Sequence, residues 1–320
     1  MVKYELVEVF VVKLHGDDAG VDVYKGMLLW KGYKNVLGVW GNIMEKRLCC
    51  KGDMFLNKGW VTKIMNITSG KKYHISVDDC INMFRDMYLK KYDSLFEHDI
   101  FRFLRDMNKK YGAKFTLHLF FNNDRFYVGG VSKPEDKSYE KFDLTKMPDN
   151  FKGEFMNSSE WLKLSFHGYT YNVNYSDCRV DIKKDYEQVI GEIKRFAGED
   201  VISNCLRLHL GLASSHNVEN LLKAGIKYIL ASDNKLSYFL TPEKRDILAT
   251  GAMVKKDYVT FIKTDGRYEG ISSVSDFLAG LNKKCIVLFT HEKELGKLII
   301  QQKIEESLKW LEKEGYEAST

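Results

Sequence analysis

Apolar positions along the chain keep two rhythms. Before residue 70 they fall in short β-branched and aromatic runs parted by Gly, Asp, Asn and Lys: Val7–Leu14, Val21–Trp30, Asn35–Trp40 and Trp60–Met65. Runs of that kind between turn formers predict strands, here a small antiparallel β unit. The rhythm changes after the Gly-and-Lys turn Ser69-Gly70-Lys71-Lys72, which sets the predicted division into a β-rich accessory unit over residues 1–70 and a main domain over 71–320.

Beyond the turn, strand patterns alternate with helix patterns. Tyr73–Asp79 reads as a strand; Ser94 and Glu97 have the spacing of a capping box, and Phe96, Ile100, Phe103, Leu104 and Met107 form an apolar stripe stopped by Gly112. Lys114–Phe121 is a continuous apolar run, as a strand covered on both faces requires. The alternation continues with strand Trp161–His167, a helix capped by Asp177 and ended by Gly198, strand Leu206–Gly211, and a helix around Val218–Ala224. Strand-like Ile226–Ala231 then leads to Ser232-Asp233. Tyr238–Leu240 and Tyr258–Ile262 read as strands around a helical Pro242–Leu248, and helix Val274–Leu281, strand Cys285–His291 and a helix through Ile300, Ile304, Leu308 and Leu311 close the domain. Such alternation predicts α/β architecture, either a barrel or an open doubly wound sheet.

Composition narrows the field. The 320 residues are 44% hydrophobic and 29% charged, enough for a full core and too long for one small module. The net charge of +5 is spread without a long basic block, so no nucleic-acid partner is expected. No apolar run approaches a membrane span, the start lacks the order of a signal peptide, and the six cysteines contain no C-x-x-C pair. A reduced, cytoplasmic protein is the resulting expectation.

The chemistry gathers at strand ends. Asp78-Asp79, His167, His209 and His291 each close a predicted strand, and in a parallel barrel the carboxyl ends of strands converge on one face. Successive side chains of an extended chain point to opposite sides, so one aspartate would face inward and the other the rim. Paired aspartates alone more often cap a helix or sit in a solvated turn, and a lone histidine is more often a hydrogen-bonded structural residue; the five together favour a site. Of the other histidines, His118 is expected as a satisfied interior side chain and His98 as a solvated one in a helix's first turn, while His15, His74 and His216 have no supporting neighbours.

Ser76-Val-Asp78-Asp79-Cys80, Arg207-Leu-His209-Leu-Gly211 and Leu288-Phe-Thr-His291 occur in the order and approximate spacing of three signatures of the NodB-type polysaccharide deacetylases. Roughly residues 71 to 315 resemble a divergent branch of that family, within the glycoside hydrolase/deacetylase superfamily. The resemblance implies a distorted (β/α) barrel and a metal-dependent hydrolase that removes acyl groups from a carbohydrate. By it, Asp78 would be the general base, Asp79 and His167 ligands of a divalent metal such as zinc, Arg207 the group orienting the base, and His291 the general acid. Two positions depart from the pattern: Cys80 replaces a glycine, and Tyr171 stands four residues after His167 where a second histidine belongs. His209 is the candidate replacement ligand, because a phenol must first lose a proton with a pKa near 10. Asp233 falls where a partner for His291 would lie, and Trp161, Tyr169 and Tyr171 are candidate platforms for a sugar ring. Two alternatives share the same residues. One is a carbohydrate-binding protein of this fold that has lost its metal; the other is a glycoside hydrolase in which Asp78 acts with Glu292 or Asp233.

Overall fold

The computed structural model describes residues 5–14, 21–30, 70–124, 140–232, 240–256 and 259–320. The chain divides into two compact units, residues 1–69 and 70–320. In the first, β1 (Glu5–Leu14) and β2 (Val21–Trp30) pair antiparallel, Glu5 opposite Trp30 and Leu14 opposite Val21. The strands expected at Asn35–Trp40 and Trp60–Met65 lie outside the described residues, as do His15 and Asp233.

The second unit begins with β3 (Lys71–Cys80), α1 (Asn82–Lys90), α2 (Asp99–Tyr111) and β4 (Phe115–Phe120). It continues through α3 (Lys152–Asn157), β5 (Leu162–Gly168), α4 (Ile182–Phe196), β6 (Cys205–Leu206), α5 (Ser215–Lys223) and β7 (Tyr228–Ala231). Next come α6 (Pro242–Ala249), β8 (Val254–Lys256), β9 (Val259–Lys263), β10 (Gly266–Arg267) and α7 (Val274–Leu281). The last elements are β11 (Cys285–His291), α8 (Glu292–Leu295), α9 (Leu298–Lys313) and β12 (Tyr316–Ala318).

The strands make an α/β fold whose parallel pairings run round in a ring. β11, β3, β4 and β5 are parallel neighbours in that order, and β6, β7 and β9 form a second parallel run. Two segments join the runs by pairing on both sides. Residues 201–203 bond to Leu164 of β5 just before β6 meets β7, and β9 leads within three residues into β10, which pairs with β11. β8 adds antiparallel to β9, and β12 pairs with the amino end of β3.

Because strand side chains alternate, the ring has two faces. Ile75, Val77, Phe115, Leu117, Leu119, Leu162, Leu164 and Phe166 join the main apolar core with the helices. A second, smaller cluster of Cys205, Leu230 and Val287, with Ile262 and Cys285 against it, fills part of the bore. The rest of the bore is polar: His74, Ser76, Asp78, Thr116, His118, Ser165, His167, Arg207 and Thr264 are all buried.

Helix ends show how local sequence and distant residues share the work. α2 buries Ile100, Phe101, Leu104 and Met107, and Gly112 closes it in the left-handed region at φ 62°. Its cap is His98, whose Nδ1 accepts from the Ile100 N–H; the ring is buried, not solvated, and Ser94 caps only the short 3₁₀ turn Leu95–Glu97 before it. α4 is capped by Asp181 rather than Asp177, whose carboxylate is taken by Arg179. α1 begins without a capping side chain of its own. Buried Glu292 reaches it from β11's far end and accepts from the N–H groups of Ile81, Asn82 and Met83. With both oxygens so engaged, Glu292 is a structural cap and not the second carboxylate of a glycosidase.

Candidate metal centre

The site is built at the carboxyl ends of β3, β5 and β11 and in the turn after β6. β3 does not simply alternate to its tip. Its register against β4 slips between Val77 and Cys80, and Asp79 adopts φ 62°, a left-handed conformation that costs a non-glycine residue about 1 kcal/mol or more. The expectation of an extended Asp-Asp pair therefore fails at Asp79, and the bulge re-aims its carboxylate toward β5 and β6. Asp79 Oδ1 lies 3.1 Å from His167 Nε2 and 3.5 Å from His209 Nδ1. His209 is not at a strand end either: β6 stops at Leu206, and His209 opens a 3₁₀ turn in which Leu210 is left-handed at φ 62°.

One ligand atom from each of Asp79, His167 and His209 lies within 4.8 Å of the other two. Ligands about 2.1 Å from a tetrahedral ion stand roughly 3.4 Å apart, so the measured separations fit such a centre. The tautomer of His167 adds a stronger argument. Its Nδ1–H donates to the Arg207 carbonyl at 2.6 Å, so in the neutral ring Nε2 is a lone pair facing a carboxylate oxygen. Two acceptors at that distance require a cation or an added proton between them, and an imidazole fixed by a backbone carbonyl is the usual arrangement of a metal ligand. Burial works against ionisation of Asp79, yet its contacts with the two histidines hold its carboxyl well below the usual range.

Phe120, at the tip of β4, braces the cluster. Its ring centroid lies 4.9 Å from that of His167, 5.1 Å from His209 and 4.4 Å from Tyr171. Tyr171 stands beside the centre with its hydroxyl 3.5 Å from the Asp79 carbonyl oxygen. Trp161 is elsewhere: it precedes β5, at the opposite end of the strand from His167, and stacks on Phe96. About 3.3 Å per strand residue puts it roughly 20 Å from the site, so it is no platform for a ligand held there.

Beneath Asp79, Asp78 is buried in the bore and both its oxygens accept from Arg207 Nη1, at 3.1 and 2.9 Å. The same guanidinium donates to Ser76 Oγ at 3.2 Å and Thr264 Oγ1 at 2.7 Å, and lies 4.2 Å from the centre of the Phe289 ring. Arg207 thus fixes Asp78 from across the ring.

His291 is the direct neighbour of Asp78 in the β11–β3 pairing. Its partner is Glu269, which no sequence pattern singled out. Glu269 Oε1 accepts from the His291 N–H at 2.8 Å and the Thr290 hydroxyl at 2.7 Å, and lies 3.3 Å from His291 Nδ1. Burial disfavours the charged ring, but the Glu269 bond and the negative field of Asp79 and Asp78 outweigh it and raise the His291 pKa. Glu269 is held at about 2, because the bonds from His291 and Thr290 overcome the burial that would raise it.

A pH dependence follows. Glu269's contribution to stability is present above its ordinary pKa of 4.5 and fades as pH falls toward about 2. His291's is present below its ordinary 6.5 and fades as pH rises through the elevated folded value. Glu269→Gln is therefore expected to cost roughly 1–3 kcal/mol, most between about pH 4.5 and 6.5. Urea melts across that range, with NMR titration of His291, check it; an unchanged His291 midpoint would remove Glu269 from this role.

No family profile matches the chain, and no curated protein does. Solved structures resemble it at low identity. A CE4 family pseudoenzyme from Bacillus anthracis matches at 9% identity over 78% of this chain and 63% of its own, with TM-score 0.43. A family 4 acetyl xylan esterase from Clostridium thermocellum, in complex with a cobalt ion, matches at 12% over 78% and 88%, with TM-score 0.40. The 4-alpha-glucanotransferase of Thermococcus litoralis matches at 11% over 78% of this chain and 39% of that one, with TM-score 0.50. This last likeness is one of fold. The chain spans less than two thirds of both the Bacillus anthracis and Thermococcus litoralis proteins.

Proposed function

We propose that the protein is a metal-dependent hydrolase that removes acyl groups from a carbohydrate, working at the Asp79–His167–His209 centre. The observation that carries the reading is the convergence of His167 Nε2 and His209 Nδ1 on one Asp79 carboxylate oxygen, with His167 Nδ1 fixed on the Arg207 carbonyl. Two imidazoles and one carboxylate form a donor set suited to zinc and to other divalent first-row ions, with coordination positions left open. A divalent cation there supplies Lewis acidity, polarising an acyl carbonyl and lowering the pKa of water from about 15.7 to roughly 7.

The chain's own groups do the rest. Asp78, oriented by Arg207, takes the proton of the attacking water. His291, whose pKa Glu269 and the neighbouring aspartates raise, gives a proton to the leaving amine or alcohol. Tyr171, half-buried and backed by the buried Phe120 ring, walls one side of the centre and suits the apolar face of a sugar ring. Neighbouring solved structures named as acetyl xylan esterase and deacetylase accord with this choice of substrate class.

The test is metal analysis of protein purified without chelator, followed by acetate release from acetylated xylan and chitin oligosaccharides with zinc, cobalt, nickel, manganese or iron restored. Activity that disappears in Asp78→Asn while bound metal remains is the expected result. Absence of bound metal and of activity under every addition would overturn the hydrolase reading in favour of a carbohydrate-binding protein that has lost its metal.

A further inference from the structure

The polar bore below the metal centre carries buried polar atoms that the proposed reaction does not use. His118 is fully buried, and neither ring nitrogen has a hydrogen-bond partner among the described residues. The same holds for Thr116 Oγ1, His74 Nε2 and Arg207 Nε. The strand pairings set these residues side by side: Ser76 is opposite Thr116 on adjacent strands, and His118 is opposite Ser165. Arg207 crosses the ring to Ser76 and Asp78, and His74 lies two residues before Ser76 on β3's inward face. The expectation that His118 is satisfied by its neighbours therefore fails.

The inventory of these atoms identifies what they bind. Burial and the nearby charge of Arg207 keep His118 neutral, so its ring offers one donor and one acceptor. His74 Nδ1 donates to the Ser319 carbonyl at 3.1 Å, which leaves Nε2 an acceptor. Arg207 Nε is a donor only, and the Thr116 hydroxyl is both. An anion would need a nest of donors and a cation a nest of acceptors; this wall alternates them. Unpaired buried groups of this kind cost about 1–3 kcal/mol each, so five atoms cannot stay bare together in a stable core.

We infer that the bore beneath the metal centre is a binding site for a small cluster of ordered water, held by Thr116, His118, His74 and Arg207. Each water in such a site makes two to four hydrogen bonds, which the mixture of donors and acceptors supplies. Water is placed there by these atoms alone, without appeal to a bound metal ion or to the proposed activity.

A crystal structure of the full chain at about 1.6 Å resolution, without added metal, tests this directly. Two or more peaks at roughly 2.6–3.2 Å from the unpartnered atoms are expected; an empty bore, or an anomalous peak from an ion, would overturn the inference. Melting of His118→Phe and the isosteric Thr116→Val supplies an independent sign. If water pairs these groups, each substitution strands its partners and lowers Tm by about 2 to 8 °C. If the bore is dry, each removes an unsatisfied polar group and Tm rises.

Discussion

An Asp79→Asn protein is expected, on the proposed reading, to bind zinc at least ~100-fold more weakly than the wild type, because it loses the one carboxylate of the candidate ligand set. Asparagine is chosen because it tolerates the left-handed backbone at φ 62°, so the bulge at the tip of β3 survives. Thermal melts read the loss separately from activity. An ion present at about 100 times its dissociation constant stabilises the folded wild type by about 2.7 kcal/mol, and the variant should gain almost none of that. Equal metal-dependent shifts in the two proteins would remove Asp79 from the centre. His209→Ala should behave likewise, and Tyr171→Phe should leave metal affinity nearly untouched, since the phenol sits on the Asp79 carbonyl and not among the ligands.

The largest effect on stability is expected from Arg207→Met. Its guanidinium and the Asp78 carboxylate are both almost fully enclosed, and methionine leaves that carboxyl in the bore without its partner. Breaking one side of such a pair costs about 3–5 kcal/mol. Removing the charge on both sides, in Arg207→Met with Asp78→Asn, should recover a large part of it, and a double-mutant cycle in urea measures the coupling. If the double variant is no more stable than Arg207→Met alone, the pair is not the reason the arginine is there. On the proposed mechanism activity should be absent in both, because Asp78 has lost either its orientation or its charge.

How much of this was legible in the sequence depended on whether the cause was local. Strands β3, β4, β5, β7, β9 and β11 and several helices were, since apolar runs and stripes are set by which faces must be buried, and the observed α7 spans the expected Val274–Leu281; the expected Leu206–Gly211 was not, its strand ending at Leu206. α1 was not, because its cap is Glu292, about 210 positions away. The three candidate ligands were read from strand ends and a family pattern. The bulge that aims Asp79 was invisible, since alternation assumes an unbroken strand. Glu269 was missed because it lies in a short 3₁₀ turn with no periodicity, and only folding brings it to His291. Trp161 was misplaced for a simpler reason: nearness to His167 along the chain is separation along a strand.

The pairing of β11 with β3 has a consequence for how the protein is made. β3 spans Lys71–Cys80, and the partner that closes the ring against it begins at Cys285. At about 5–20 residues per second of synthesis, the open edge of β3 waits roughly 10 to 40 s for that partner to leave the ribosome. Throughout that interval it is an unpaired strand edge of the kind that recruits other chains. Contacts this distant in sequence also slow refolding from denaturant. Yield during expression should therefore respond to slower translation at lower temperature, or to added chaperones, before it responds to changes in the apolar core.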